Sequence, residues 1–193
     1  MSAAANPPAE MTVAEFITWS AAQPGNRWQL VDGTPRGEAP ASPRHGAIQS
    51  EVARLIGNHL VAVDRPSCRV VIEPGVQPSV NANRNLRVPD LGITCAPWDE
   101  DRKLSAPLVL VEILSPSNHA DTWTAVRSYT TIPSVREILV LHTSRICVDL
   151  LRRQADGSWP NGPQRLLAGD DVHLESIGFT VPVADFYRTS GLA

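Results

Sequence analysis

Lysine is almost missing from this chain. Lys103 is the single one among 193 residues, and every other strong cation is an arginine. Basic excess is missing too. The formal net charge is −3, whereas dedicated nucleic-acid binders often carry a positive balance. That argues against a polycationic DNA-coating protein, although a cleft can still be positive locally. No apolar run reaches the roughly 18 residues that a membrane span needs. Residues 1–10 are Ala/Pro-rich and hold neither a basic n-region nor an apolar h-region, so they read as a short disordered lead and not as a signal peptide. Cysteine is sparse as well. Cys68, Cys95 and Cys147 are far apart and odd in number, which reads as reduced core residues of a cytoplasmic protein. No two Cys or His have zinc-ligand spacing, which argues against a zinc site. What remains is 42% hydrophobic and 19% charged, a globular composition in a length suited to one domain.

Against that background one stretch stands out: Leu108-Val109-Leu110-Val111-Glu112-Ile113-Leu114, running into Ser115-Pro116-Ser117. Six aliphatic residues in seven, ended by a proline, predict a central strand buried on both faces. The seventh is a glutamate. A carboxylate there costs several kcal/mol unless it is paired, protonated or metal-bound.

The surrounding pattern predicts an α/β fold. Thr12 to Glu15 forms a capping box that opens a helix ending before Pro24-Gly25. A strand over 27–31 turns at Asp32-Gly33 and returns over 34–39 as a hairpin. Ser42 and Pro43 start a helix over 43–63, with Ile48, Val52, Leu55, Ile56 and Leu60 inward and Gln49, Glu51, Arg54 and Asn58 outward. Strands are expected over 68–72, with a continuation at 76–80, and over 86–94. A charged loop at 98–103 leads into the strand at 108–114. A helix follows over 118–131, then strands at 137–142 and 145–152. Short strand signals at 170–174 and around Phe179 precede a helical turn at 183–187. The order implies a mixed sheet flanked by helices.

Glu112 has an upstream counterpart. Val88-Pro89-Asp90 puts a carboxylate just after a proline, where the strand must bend or lie at an edge. Two neighbouring strands could set Asp90 and Glu112 on one rim. One Asp, one Glu and a backbone carbonyl suffice for magnesium, which keeps several waters. Such an ion activates water and offsets charge on a phosphodiester. The alternative is a buried Glu112 paired with Arg69, Arg87 or Arg127.

Five stretches together resemble a known family. Leu30-Val31-Asp32-Gly33, Ser42-Pro43-Arg44-His45, Val88-Pro89-Asp90-Leu91, the Val111 to Ser117 run, and the Tyr129 helix leading to Ile138-Leu139-Val140 are similar to the Uma-two group of bacterial endonucleases. That group belongs to the PD-(D/E)xK, restriction-endonuclease-like superfamily. The likeness covers roughly residues 11–151. It implies a single restriction-endonuclease-like domain over 11–193, a mixed sheet flanked by helices, and Mg²⁺- or Mn²⁺-dependent DNA cleavage. Asp90 and Glu112 would be the metal ligands, with the Ile113 carbonyl as a third. His45 matches a histidine at the start of the family's first core helix, where it could face the site or simply be a polar helix-start residue. Proteins of this fold are often dimers, so a homodimer is expected by analogy.

Two departures weigh on activity. The superfamily's lysine position, two residues after the glutamate, is Leu114, and the alternative position in the following helix is Ala125. Arg127 is two residues from Ala125 and points elsewhere on a helix. Gln29 stands where the family usually has a glutamate, so the site loses a carboxylate. His119 could act as a base near the rim, against an ordinary capping cluster with Asn118 and Asp121. Tyr129 reads as core packing with its hydroxyl hydrogen-bonded. Three functions follow: a metal-dependent DNA endonuclease, a non-catalytic DNA- or protein-binding module of the same fold, and a hydrolase of smaller phosphate esters.

Overall fold

In the computed structural model, residues 10–23, 27–98 and 103–192 are described. The expected lead at 1–9 and most of the charged loop, 99–102, lie outside the described residues. The elements are α1 (Val13–Ala21), β1 (Arg27–Val31), β2 (Thr34–Glu38), α2 (Pro43–Ala62), β3 (Arg69–Ile72), β4 (Leu91–Thr94), β5 (Pro107–Leu114), α3 (His119–Tyr129), β6 (Glu137–His142), β7 (Cys147–Arg152), β8 (Gln164–Leu167), β9 (Asp171–Leu174) and β10 (Phe179–Pro182). Single 3₁₀ turns occupy Ala82–Arg84 and Val183–Tyr187.

Six strands form one mixed sheet in the order β3-β4-β5-β6-β7-β8. The aliphatic run is its heart. β5 pairs antiparallel with β4 and parallel with β6, with Glu112 opposite Val140. The parallel step needs a crossover, and α3 supplies it. Side chains of β5 then divide by parity. Val109, Val111 and Ile113 pack against Ile48, Val52 and Ile56 of α2 and against the C-terminal segment. Leu110 and Leu114 pack against Val126 and Tyr129 of α3. The glutamate lies on the α3 side.

β1 and β2 make a separate hairpin, as do β9 and β10. The first is the Asp32-Gly33 hairpin, with φ of 48° and 85° at the two turn residues, the sign a primed turn requires. Its tip is tied to the polar turn at 81–85. Asp32 N–H donates to Asn85 Oδ1 (2.9 Å), both Asn81 and Asn85 donate to Asp32 Oδ1 (3.0 Å each), and Gly33 N–H donates to the Arg84 carbonyl (2.7 Å). These amide donors hold the Asp32 carboxyl below its usual range. One step on, Leu30 and Leu86 exchange both backbone bonds.

Several expectations change. The strand expected over 86–94 shrinks to Leu91–Thr94, just past Asp90, because Pro89 lacks a donor; Leu86 and Arg87 make only isolated bridges, to Leu30 and Val76. The 76–80 continuation reduces to that Val76 bridge. β8 was not anticipated, since Gln164–Leu167 is mostly exposed and buries Leu166 alone. Gln49 and Glu51, expected outward on α2, are buried, because the helix is covered on that flank by the site and by the C-terminal turn. Cys68 and Cys95 are not reduced core residues but a disulfide, since the β3–β4 register that pairs Arg69 with Thr94 brings the next pair opposite; Cys147 is free and buried. No helix among the described residues is long and apolar enough to cross a membrane.

Gly92 sits between β3 and β5 with no room for a side chain. A Cβ there would lie 2.5 Å from Leu104 and 2.8 Å from the Pro74 ring. Gly92→Ala is therefore expected to destabilise the protein by about 1–3 kcal/mol, read as a fall in the urea midpoint with an unchanged m-value. An unchanged midpoint would show that Leu104 and Pro74 yield freely.

Candidate active site

The β4–β5 register pairs Leu91 with Val111, so the next residues outward, Asp90 and Glu112, are neighbours. Both are buried, at 5% and 9% exposure. Three groups from two elements, α2 and β5, fix Asp90. His45 Nε2, one turn into α2, donates to Oδ1 (2.8 Å). The Ile113 N–H donates to Oδ2 (2.6 Å). Gln49 Nε2 donates to the Asp90 carbonyl (3.0 Å). His45 reaches this place because Ser42 caps α2, its Oγ accepting from the His45 N–H. Glu112 is held by one group, the Tyr129 hydroxyl, which donates to Oε1 at 2.6 Å.

Among the described residues no ion pair reaches Glu112. Burial, reinforced by the Asp90 carboxylate, lifts its carboxyl well above the usual range, and the Tyr129 bond opposes this. Glu38 adds to the repulsion from β2, and Arg87 offsets it only slightly. Burial lifts Glu38 as well, against the pull of Arg27. The same burial, with Glu112 alongside, raises the Tyr129 phenol well above its usual value, so it stays a donor.

These groups line a cleft of about 420 Å³. The inward face of the β1–β2 hairpin forms one wall with Gln29, Arg36 and Glu38, and α3 forms the other with Asp121, Thr122 and Ala125. An Arg36–Asp121 ion pair at 3.9 Å spans the gap. The floor carries Asp90, Glu112 and Arg87. Two buried hard-oxygen carboxylates side by side, one of them with no arginine or lysine paired to it among the described residues, fit a divalent cation of the magnesium class.

The sequence comparison agrees with this geometry. Residues 13–184 match the Uma2 family, described as "Putative restriction endonuclease". The chain belongs to the Uma2 family. An uncharacterised protein of Synechocystis sp. PCC 6803 is 28% identical over 182 residues, spanning 93% of this chain and 91% of the relative. The crystal structure of a "putative nuclease belonging to DUF820" from Anabaena variabilis superposes with a TM-score of 0.72 at 18% identity, covering 93% of this chain and 99% of that one. The mixed sheet with its flanking helices is thus a nuclease fold.

Within this Uma2 chain the expected residues converge unevenly. Asp90, Glu112 and His45 meet directly. Ile113 joins them through its N–H, which is locked to Asp90. Gln29 faces the cleft from β1, its Oε1 accepting from Arg87 Nη1 at a long 3.4 Å. Leu114 is buried with the α3 core and Ala125 lines the cleft, so neither lysine position carries a cation. Lys103 bonds Gln77 Oε1 (3.1 Å) and does not line the cleft. Arg127 is exposed and turned to Thr124. His119 is exposed beside Trp123 and stays outside. None of the three arginines weighed as partners for Glu112 pairs with it. Its partner is Tyr129, buried as expected and with its hydroxyl hydrogen-bonded as expected; that the acceptor is Glu112 is new, and the signal for it is the helix face that Tyr129 shares with Thr122 and Ala125.

A second cluster needs separating from this one. His142, Cys147 and Asp149 bring potential ligand atoms within 4.8 Å of one another. Cross-strand pairing joins them, not chain spacing. Asp149 is already saturated, by His142 Nε2 (2.9 Å) and by Arg165 Nε (2.9 Å), and those two bonds hold its carboxyl low despite burial. A guanidinium on both carboxylate oxygens fills the role a cation would take.

The raised Glu112 carboxyl carries a stability consequence. Its folded-state value lies above its unfolded value, so the native form holds the extra proton between them, and stability falls as pH rises through that window. In metal-free protein Glu112→Gln should melt higher than wild type at neutral pH. The gap should close as pH falls to the ordinary carboxylate range. Melting curves across pH in chelator would contradict this if the gap instead grew toward acid.

Proposed function

We propose that this protein is a divalent-metal-dependent DNA endonuclease that hydrolyses phosphodiester bonds at the Asp90–Glu112 pair. The single observation behind the reading is the buried pair itself: two adjacent carboxylates with, among the described residues, no ion pair reaching Glu112. The family's description as a putative restriction endonuclease supports DNA as the substrate class. Asp90 and Glu112 would hold Mg²⁺ or Mn²⁺, with the carbonyl of Ile113 as a further oxygen. When bound, that ion supplies an activated water and offsets phosphate charge.

The chain's own groups prepare this chemistry. His45 and the Ile113 N–H fix both oxygens of Asp90, so the carboxylate loses little freedom on binding. Tyr129 aims Glu112 and keeps one oxygen occupied while leaving the other available. Gln49 holds the Asp90 backbone. Asp90 and Glu112 themselves are buried, which strengthens each electrostatic contact they make.

Leu114 and Ala125 favour one second reading, a non-catalytic DNA-binding module on the same fold. Plasmid nicking separates the two. The endonuclease should nick supercoiled DNA with Mg²⁺ or Mn²⁺, and Asp90→Ala or Glu112→Ala should cost about 100- to 1000-fold. Absence of cleavage by the intact protein across both metals and a range of pH would favour the module. Tyr129→Phe should cost less than Glu112→Ala, because it misaligns a ligand without deleting it.

A further inference from the structure

Arg87 is the anomaly of the cleft. It is 6% exposed, and its Nε is buried without a hydrogen-bond partner. Its one side-chain bond is the long contact to Gln29 Oε1, a neutral acceptor. Among the described residues it makes no ion pair. A guanidinium stays charged in a protein, and a buried charge without a partner is costly. The other two arginines lining the cleft are committed: Arg27 to Glu38 (3.0 Å) and Glu73 (2.8 Å), Arg36 to Asp121.

The backbone keeps Arg87 in place regardless. Its N–H and carbonyl exchange bonds with Val76 (2.8 Å each), and the preceding Leu86 does the same with Leu30. The guanidinium is therefore presented from a fixed point in the cleft that Glu112 and Asp90 also line, with Glu112 among the charges around it. The charged and titratable groups around it are Asp32, Glu112, Tyr129 and Arg36, none of them bonded to it. A fork of N–H donors, fixed, desolvated and engaged only by one long contact to a neutral amide, matches the non-bridging oxygens of a phosphate.

We propose that Arg87 is the phosphate-holding group of this cleft, receiving a non-bridging oxygen of the phosphodiester beside the Asp90–Glu112 pair. The substrate's nature rests on the nuclease reading; the anion subsite itself does not. The inference also gives Gln29 a role. A glutamate at 29 would pair with Arg87 and neutralise it, whereas the amide leaves the charge for a ligand. Arg87 thus brings a fixed positive charge to a cleft whose two lysine positions are Leu114 and Ala125.

The test uses the intact protein with inorganic phosphate as probe, followed by melting temperature, together with anisotropy of a labelled DNA duplex in Ca²⁺. Wild type should gain melting temperature with phosphate. Arg87→Gln should lose that gain and bind duplex at least about tenfold more weakly, while Arg87→Lys keeps part of both. Gln29→Glu should mimic Arg87→Gln through a new ion pair, which serves if Arg87→Gln fails to fold. Mn²⁺ titration by calorimetry runs alongside, and Arg87→Gln should still take the metal. Failure of Mn²⁺ binding and of cleavage in wild type would remove the nuclease reading while the phosphate result stands by itself. Phosphate and duplex binding equal to wild type in both Arg87→Gln and Gln29→Glu, or no phosphate effect on wild type at all, would overturn the proposal.

Discussion

Everything in the cleft depends on keeping two carboxylates adjacent where water is scarce. Like charges at that range cannot both stay ionised cheaply. The chain surrounds them with donors that tolerate the charge without cancelling it: a histidine, an amide N–H and a phenol, each aimed by a different element. None of these is a permanent cation. Where a protein wants only stability, it places an arginine, as at Asp149, where Arg165 and His142 saturate the carboxylate. Asp149 and Glu112 are two acids on one face of the same sheet, one held by an arginine and a histidine, the other by a phenol, with no ion pair to it among the described residues.

The parts of this design that are local in sequence were readable from it. The capping box at Thr12, the hairpin at Asp32-Gly33, the Ser42 cap and the β5 run all follow from neighbours within a few residues, and each appears where expected. Asp90 and Glu112 were readable because a proline and a buried acid are both anomalies in a strand. The misses share a cause. Tyr129 as a ligand of Glu112, Gln49 on the Asp90 backbone, the Cys68–Cys95 bond and the His142–Cys147–Asp149 group arise from pairing across strands or between helix and sheet. No spacing rule reports such meetings. Polar residues on a helix also read as solvent-facing by default, which is why Gln49 and Glu51 were placed outward.

The two departures from the family pattern look different once the charges are laid out. Leu114 and Ala125 stand where the resemblance leads one to expect a lysine, and Gln29 where it leads one to expect a glutamate. Taken singly, each reads as decay. Side by side with a buried, underused guanidinium at Arg87, they amount to a redistribution in which one fixed positive centre is left uncancelled.

The hairpin carries a further implication. Two strands alone are marginal in water, and β1–β2 has no strand neighbour in the main sheet. Its tip is laced to the asparagine-rich turn at 81–85, and its Leu30 to Leu86. That segment continues straight into Arg87 and Asp90. The wall and the floor of the cleft are thus a single mechanical body, anchored at a polar knot that never touches the substrate space. Slack introduced at the knot would travel to both sides of the chemistry at once.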